Sequence, residues 1–399
     1  MHPPSSSRRR FAHAFVTVAL LSLFTGPGVP SAMAQPTIVE GTAGDGSSYG
    51  LAMPESWNGG LVVYAHGIVD PGLPVAIPSS QDGFTVLRGL LMDRGYAVAY
   101  SSFSENGYSL KSAMQRTHQL GGLFTATFAR PTRTYLAGHS LGGLAVVALA
   151  EKYPTQYDGA LPMCAPIGGG TAEIQYLGNA RVAFDYFFPG VLPGGPFTVP
   201  PDTAFTPGSP VFTATYNALV GGLFAADRRT LQFANVAHLP YRSVPELIAS
   251  AMSVVGFSIR FTSDVLDHSH GHIPYDNIGT VFSGSANDVA LNLGIERFQG
   301  TPDAVNYFEK YFSPAGSVQI PMLTLHTRWD PVAPFDQERD YAQKVADAGG
   351  STWLTQRSII SYGHCNINAA ETMSGFDALV AWVNGGAKPA GGDGTIGIR

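Results

Sequence analysis

Two cysteines in 399 residues are too few for a disulfide scaffold or a four-thiolate zinc site. Charge is also scarce, at 13% of residues, and Lys+Arg 23 against Asp+Glu 29 leave a net −6. That sign argues against a nucleic-acid groove, which needs a basic excess over phosphate. Intrinsic disorder would require few apolar residues, whereas 45% of this chain is hydrophobic and predicts a large packed core. No apolar run is long enough to span a bilayer comfortably: the uncharged stretch from Phe11 to Thr25 is short, and Gly26, Pro27 and Pro30 interrupt its continuation. Gly 47 and Pro 29 are plentiful, and they are the residues of loops and tight turns. Together these numbers read as one large globular domain with insertions.

Residues 1–34 read as a signal peptide. Arg8, Arg9 and Arg10 precede the uncharged stretch, and Ala32-Met33-Ala34 offers small residues at the positions a signal peptidase reads. A buried N-terminal helix is the competing reading. Ser7-Arg8-Arg9-Arg10-Phe11 also fits the loose twin-arginine pattern, so the expected location is periplasmic or secreted. Removing the segment takes away three arginines and no acids, which moves the net charge from −6 to −9. An exported protein can keep a disulfide, and that bears on Cys164 and Cys365.

From residue 61 onward, short β-rich runs alternate with helical stretches. Strands are predicted over 61–65, 97–100, 133–137 and 160–164, with helices over 82–94, 110–128 and 141–153. Pro162 sits awkwardly in the fourth strand. After a long gap come strand 318–327, helix 335–348, strand 353–360 and helix 369–383. Such alternation predicts βαβ units on a mainly parallel central sheet flanked by helices, an α/β fold. The gap, 167–315, holds 14 of the 23 Phe and a crowd of prolines. Lying between two strands of one sheet, it reads as a cap over the sheet's C-terminal edge, with a separate small domain as the alternative. The expected organisation is therefore core 35–166, cap or lid insertion 167–315 and core 316–399, with a loose Gly-rich tail after 385.

Gly138-His139-Ser140-Leu141-Gly142-Gly143 lies where a strand should pass into a helix. A serine on that turn needs a strained backbone and close helix–strand approach, which the small residues at 138, 142 and 143 permit. Its hydroxyl then stands at a helix N-terminus, where the dipole favours developing negative charge. The pattern alone is weak, since Gly46-Ser47-Ser48-Tyr49-Gly50 matches it too without a helix behind it.

Serine is a poor nucleophile without a base, so an imidazole oriented by a carboxylate must lie elsewhere. Of the two histidines beyond the insertion, His326 falls inside a strand and points into packing, whereas His364 comes after the last strand on a loop. Asp330 leaves the end of the preceding strand; Asp336 and Asp340 compete with it but fall in a helix. Ser140, Asp330 and His364 are therefore the expected catalytic set. Acyl transfer also needs two N–H donors for the oxyanion, expected from Leu141 and Ile68, while His66 closes its turn structurally.

Met53-Pro54-Glu55-Ser56-Trp57-Asn58-Gly59-Gly60 leading into Val62-Val63-Tyr64-Ala65-His66-Gly67, together with the serine turn and the late Asp and His, resembles the α/β-hydrolase superfamily. More narrowly the chain is similar to exported bacterial serine esterases, over about 35–166 and 316–399, and the resemblance does not extend to the cap. In that fold Cys164 and Cys365 both lie at the C-terminal edge of the sheet, which predicts a disulfide between them; two buried free thiols are the alternative. Tannase and feruloyl-esterase-like enzymes also carry a Cys after the histidine, but its partner precedes the nucleophile, where this chain has His139.

The resemblance implies a secreted carboxylic ester hydrolase that works through an acyl-enzyme. No metal or organic cofactor, nucleic acid or membrane span is required. Its partner would be a small-molecule or oligomeric ester, and the aromatic cap points to bulky or apolar ones. A peptidase or amidase with the same machinery is the second reading, and a binding protein that keeps only the fold the third. Asp267-His268-Ser269-His270-Gly271-His272 reads as a solvated cap loop rather than a metal site, and Ser104-Glu105-Asn106-Gly107 as a turn or a border of the site.

Overall fold

The computed structural model describes residues 36–200 and 202–393; the expected signal peptide and the end of the Gly-rich tail lie outside the described residues. Nine strands are present among them: β1 (Thr37–Thr42), β2 (Ser48–Met53), β3 (Gly60–Ala65), β4 (Ala97–Ser101), β5 (Arg133–His139), β6 (Gly159–Met163), β7 (Met322–Trp329), β8 (Leu354–Tyr362) and the two-residue β9 (Gly392–Asp393). They form one sheet in the order β1-β2-β4-β3-β5-β6-β7-β8-β9. β1 and β2 pair antiparallel, as do β2 and β4, and every other neighbour is parallel.

The period-two alternation of strand side chains divides the core. Along β3, Leu61, Val63 and Ala65 face a cluster with Leu120 and Phe124 of α2 (Leu110–Thr127) and Leu144 and Val147 of α3 (Leu141–Lys152). Val62 and Tyr64 face the other way, against Phe84, Leu87 and Leu91 of α1 (Phe84–Asp93) and Phe376 and Leu379 of the last helix, α12 (Ala369–Val383). Covered on both faces, β3 is buried at every residue and carries a continuous apolar run.

Between β6 and β7 the chain forms seven helices: α4 (Gly170–Phe187), α5 (Pro210–Phe224), α6 (Arg229–Val236), α7 (Val244–Arg260), α8 (Thr262–His268), α9 (Asp288–Gly294) and α10 (Pro302–Phe312). The phenylalanines explain their packing. Phe184, Phe188 and Phe233 form a ring cluster, with centroids 4.9 Å and 5.5 Å apart for the two pairs that include Phe184. These rings belong to the same continuous apolar cluster as Leu61 and Val63. α11 (Asp336–Asp347) comes after β7.

The strands call for comment at three places. β7 starts at Met322 rather than four residues earlier, because Pro321 cannot donate to the ladder and the pairing with β8 begins at Met322↔Leu354. The β1–β2 hairpin has no counterpart among the predicted strands: its edge strand is half exposed and lacks an apolar run. Pro162 is tolerated inside β6 at the loss of one rung. Ala160 and Cys164 donate to the carbonyls of Pro321 and Leu325, and the nitrogen between them in that alternation is proline's.

Candidate active site

Ser140 occupies the turn from β5 to α3 with φ 53° and ψ −124°, a conformation an L-residue adopts only when its surroundings force it. The neighbouring glycines allow the crowding that does so. A methyl group on Gly142 would run into the carbonyl oxygens of Ala65 and His66, and one on Gly138 would meet the Gly142 carbonyl at 2.6 Å. Helix α3 thereby starts directly against the end of β3, and Ser140 N–H donates to the Met163 carbonyl at 2.9 Å.

His364 comes back to this turn from the loop after β8. Its Nε2 lies 2.8 Å from Ser140 Oγ and its Nδ1 2.8 Å from Asp330 Oδ2. An ionised Asp330 can only accept, so Nδ1 carries the proton and Nε2 is left to accept from the serine hydroxyl. Asp330 is held from the far side: its Oδ1 accepts from the N–H groups of Val332 (2.8 Å) and Ala333 (3.0 Å). Burial alone would raise its pKa, but the charge of His364 and hydrogen bonds from His326 and His364 pull it far below the usual carboxylate range. The loop itself is tied down, since Thr327 Oγ1 donates to the Gly363 carbonyl at 2.7 Å.

His326 is buried, as its strand position implied, yet its surroundings are polar. Nδ1 lies 3.0 Å from Glu338 Oε1 and Nε2 2.9 Å from the Ala333 carbonyl, with Asp330 Oδ2 at 3.6 Å. A carbonyl oxygen and a carboxylate both accept, so both ring nitrogens donate and the ring is an imidazolium. Burial opposes that charge, but hydrogen bonds to Asp330 and Glu338 outweigh it and raise the pKa to about 10. A fixed positive charge thus stands behind Asp330, where the strand position alone predicts only packing. Glu338 gives no obvious signal in sequence, being one more acid on a charged helix.

The other expected residues occupy varied places. Leu141 and Ile68 line the same cavity as Ser140 and His364. His66 is buried against Phe103, with ring centroids 3.7 Å apart, and its Nδ1 donates to the Gly67 carbonyl. Asp336 and Asp340 lie on α11 in exposed ion pairs with Arg339. Ser48, the second motif serine, sits in β2 opposite Thr42. Cys164 and Cys365 are bonded, with Cα atoms 5.1 Å apart, and both adopt positive φ (44° and 54°). His268 pairs with Asp264 at 3.6 Å, and no group of three potential metal ligands occurs among the described residues. Among those residues no single helix is long and apolar enough to cross a membrane.

The cavity beside Ser140 is narrow, about 50 Å³, and Ile174, Leu177, Phe257, Phe261 and Val265 of the inserted helices wall it. The same five residues wall a second space of about 50 Å³ that reaches Arg181 and Phe197. The phenylalanine rings of this cavity are thus Phe257 and Phe261, while Phe184, Phe187 and Phe188 are buried in the insertion's core. Two polar cavity residues, Tyr108 and Glu173, belong to no motif and are not anticipated from the sequence. A far larger groove of about 680 Å³ runs between α2, α3 and α10 and is lined by none of Ser140, Asp330 and His364.

No family model matches the chain, and no curated protein matches it in sequence. Solved structures do match in shape. Feruloyl esterase B from Aspergillus oryzae superposes with a TM-score of 0.51 at 14% identity, over 88% of this chain and 80% of that one. The fold is that of the α/β-hydrolases. An esterase of Pyrococcus furiosus matches with a TM-score of 0.43 at 11% identity, over 90% of this chain and 93% of its own. Pyrococcus horikoshii acylaminoacyl peptidase matches with a TM-score of 0.41 at 11% identity, over 82% of this chain. This chain spans 37% of that peptidase's length.

Proposed function

We propose that the protein is a serine hydrolase that cleaves carboxylic esters, with Ser140 as nucleophile, His364 as base and Asp330 as its orienting acid. The observation that carries the reading is the unbroken line from Ser140 Oγ through both nitrogens of His364 to Asp330, at 2.8 Å and 2.8 Å. As Ser140 attacks the ester carbonyl, Nε2 takes its proton and Asp330 stabilises the resulting imidazolium. The Leu141 N–H, in the first turn of α3, and the Ile68 N–H would hold the oxyanion, each worth roughly two to three orders of magnitude in rate. His364 then returns the proton to the leaving alcohol, and water repeats the sequence on the acyl-enzyme.

An ester rather than an amide is our reading because the cavity is narrow and lined mainly by apolar side chains. We read the inserted helices as a cap, since α4, α7 and α8 supply five of the cavity's walls. We also infer export: residues 1–34 carry the pattern of a signal peptide, and a disulfide persists in oxidising compartments.

The test is to assay the purified protein and Ser140→Ala on a chain-length series of aryl esters beside amino-acid anilides. Hydrolysis of the esters, abolished in the variant, is the expected result. Faster turnover of anilides would replace the ester reading with a peptidase. No turnover of either class, with Ser140 inert to a fluorophosphonate, would leave only a binding protein of this fold.

A further inference from the structure

Apart from Ser140 and His364, the side chains that line the cavity are apolar except at two positions that the proposed triad does not use. Tyr108, in the loop before α2, is buried, and its hydroxyl has no hydrogen-bond partner among the described residues. Glu173, in the first turn of α4, is 4% exposed. Both line the same small space as Ser140 and His364. An orphaned buried hydroxyl costs about 1–3 kcal/mol relative to a satisfied one, so a partner arriving with the ligand would recover that loss.

The protonation of Glu173 decides what kind of partner fits. Gln337 Oε1 accepts from Gly168 N–H at 3.0 Å, which fixes the orientation of its amide. Its Nε2 must therefore donate to Glu173 Oε2, at 2.7 Å. Burial pushes the Glu173 carboxyl up to about 8, against the hydrogen bond from Gln337, so at neutral pH the acid keeps its proton. With Oε2 already accepting, that proton rests on Oε1, and Glu173 offers a donor. Tyr108 offers both a donor and an acceptor. A ligand group that donates and accepts matches this pair. A carbonyl could accept from both donors but would leave the Tyr108 oxygen's own lone pairs unpaired, and an ammonium would face a neutral acid.

We propose that Tyr108 and Glu173 form a polar subsite of the Ser140 cavity that receives a neutral hydroxyl of the substrate, so the preferred esters carry a hydroxyl on an otherwise apolar acyl or alcohol part. The proposal rests on the ester reading only for its chemistry, since the subsite itself is a binding site.

Two readouts keep the ideas apart. The first is kcat/KM for methyl hexanoate against methyl 3-hydroxy- and 6-hydroxyhexanoate, and for ethyl against 2-hydroxyethyl hexanoate. The best hydroxylated ester is expected to exceed its parent by about tenfold, the yield of one neutral hydrogen bond made on binding. In Tyr108→Phe, which keeps the ring and its packing, that ratio is expected to fall to within about twofold of unity. Glu173→Gln, still a donor, should retain more of the ratio than Glu173→Leu. The second readout is calorimetry with Ser140→Ala, which binds without turnover, on the same pairs and on methyl 6-aminohexanoate. There the Kd ratio should show the same order, with the amine the weaker ligand.

A wild-type ratio near one in both series overturns the subsite, as does a ratio that Tyr108→Phe leaves unmoved or a preference for the amine. Absence of any turnover overturns the ester reading instead, and the Kd ratios then decide the subsite alone.

Discussion

Cys365, the residue after His364, is bonded to Cys164, the residue after β6, across 201 positions of sequence. The bond fixes the histidine's loop to the strand edge from which the inserted helices depart. Closing so long a loop stabilises the fold by about 5 kcal/mol in the chain-entropy model. The Cys164→Ala/Cys365→Ala pair is expected to lower stability by roughly 2–5 kcal/mol in urea titration. Because the loop also carries His364, kcat should fall further than KM rises. Full retention of kcat at a temperature where the variant is still folded would confine the bond to a structural role.

Asp330 keeps its charge in a fully buried site because two N–H groups and two imidazoles surround it. Asp330→Asn retains the shape but can present an NH₂ to His364 Nδ1, which favours the tautomer unable to accept from Ser140. A loss of about 10⁴-fold in kcat is expected, with KM little changed. Rates within tenfold of wild type would mean that another group orients the ring.

Much of this site is legible in the sequence because its motif is local. The serine turn needs small residues at fixed offsets, and Gly138, Gly142 and Gly143 lie close to backbone or Ala165 in the fold. Asp330 and His364 are marked by their places after β7 and β8, which the strand order sets on one side of β5 with β6 between. The illegible part is pairwise and distant. Glu173 on α4 meets Gln337 on α11, 164 residues away, and Tyr108 N–H reaches Asp264 Oδ2 on α8. Neither contact can be read from periodicity or composition. The β1–β2 hairpin is hidden for another reason, since a half-exposed edge carries too few apolar residues to mark itself.

Gly142→Ala tests the close approach beneath the serine. The added methyl would meet two carbonyl oxygens of the β3 end, and backbone cannot swing aside as a flexible side chain can. A cost of about 3 kcal/mol is expected, with α3 displaced and any hydrolytic rate reduced alongside. Gly143→Ala should be milder, because its nearest neighbour is the Ala165 methyl, at 2.7 Å. Equal stability of wild type and Gly142→Ala by thermal unfolding would show that the turn has slack.

His326 gives the protein a pH dependence of definite sign. Its folded pKa, near 10, lies above the ordinary 6.5, so the native state keeps a proton that the unfolded chain releases. The stabilisation is complete below pH 6.5 and is lost as pH rises through 10. Glu173 adds a loss of the same sign between its ordinary 4.5 and about 8, whereas Asp330 acts only on the acid side, where stability falls as pH drops through its depressed pKa. Between pH 8 and 9 the carboxyl is past the midpoint of its titration and the unfolded chain's tyrosines are only starting theirs, so His326 dominates that interval. Wild-type stability should fall there by about 1.4 kcal/mol, the value for one proton over one pH unit. His326→Gln can still donate to the Ala333 carbonyl but carries no charge, and its stability should be nearly flat over the same unit. It should also be lower by about 3 kcal/mol at pH 7, since Glu338 and Asp330 lose their shared cation. Parallel pH–stability curves for the two proteins, measured by urea unfolding, would show that His326 is neutral in the native state.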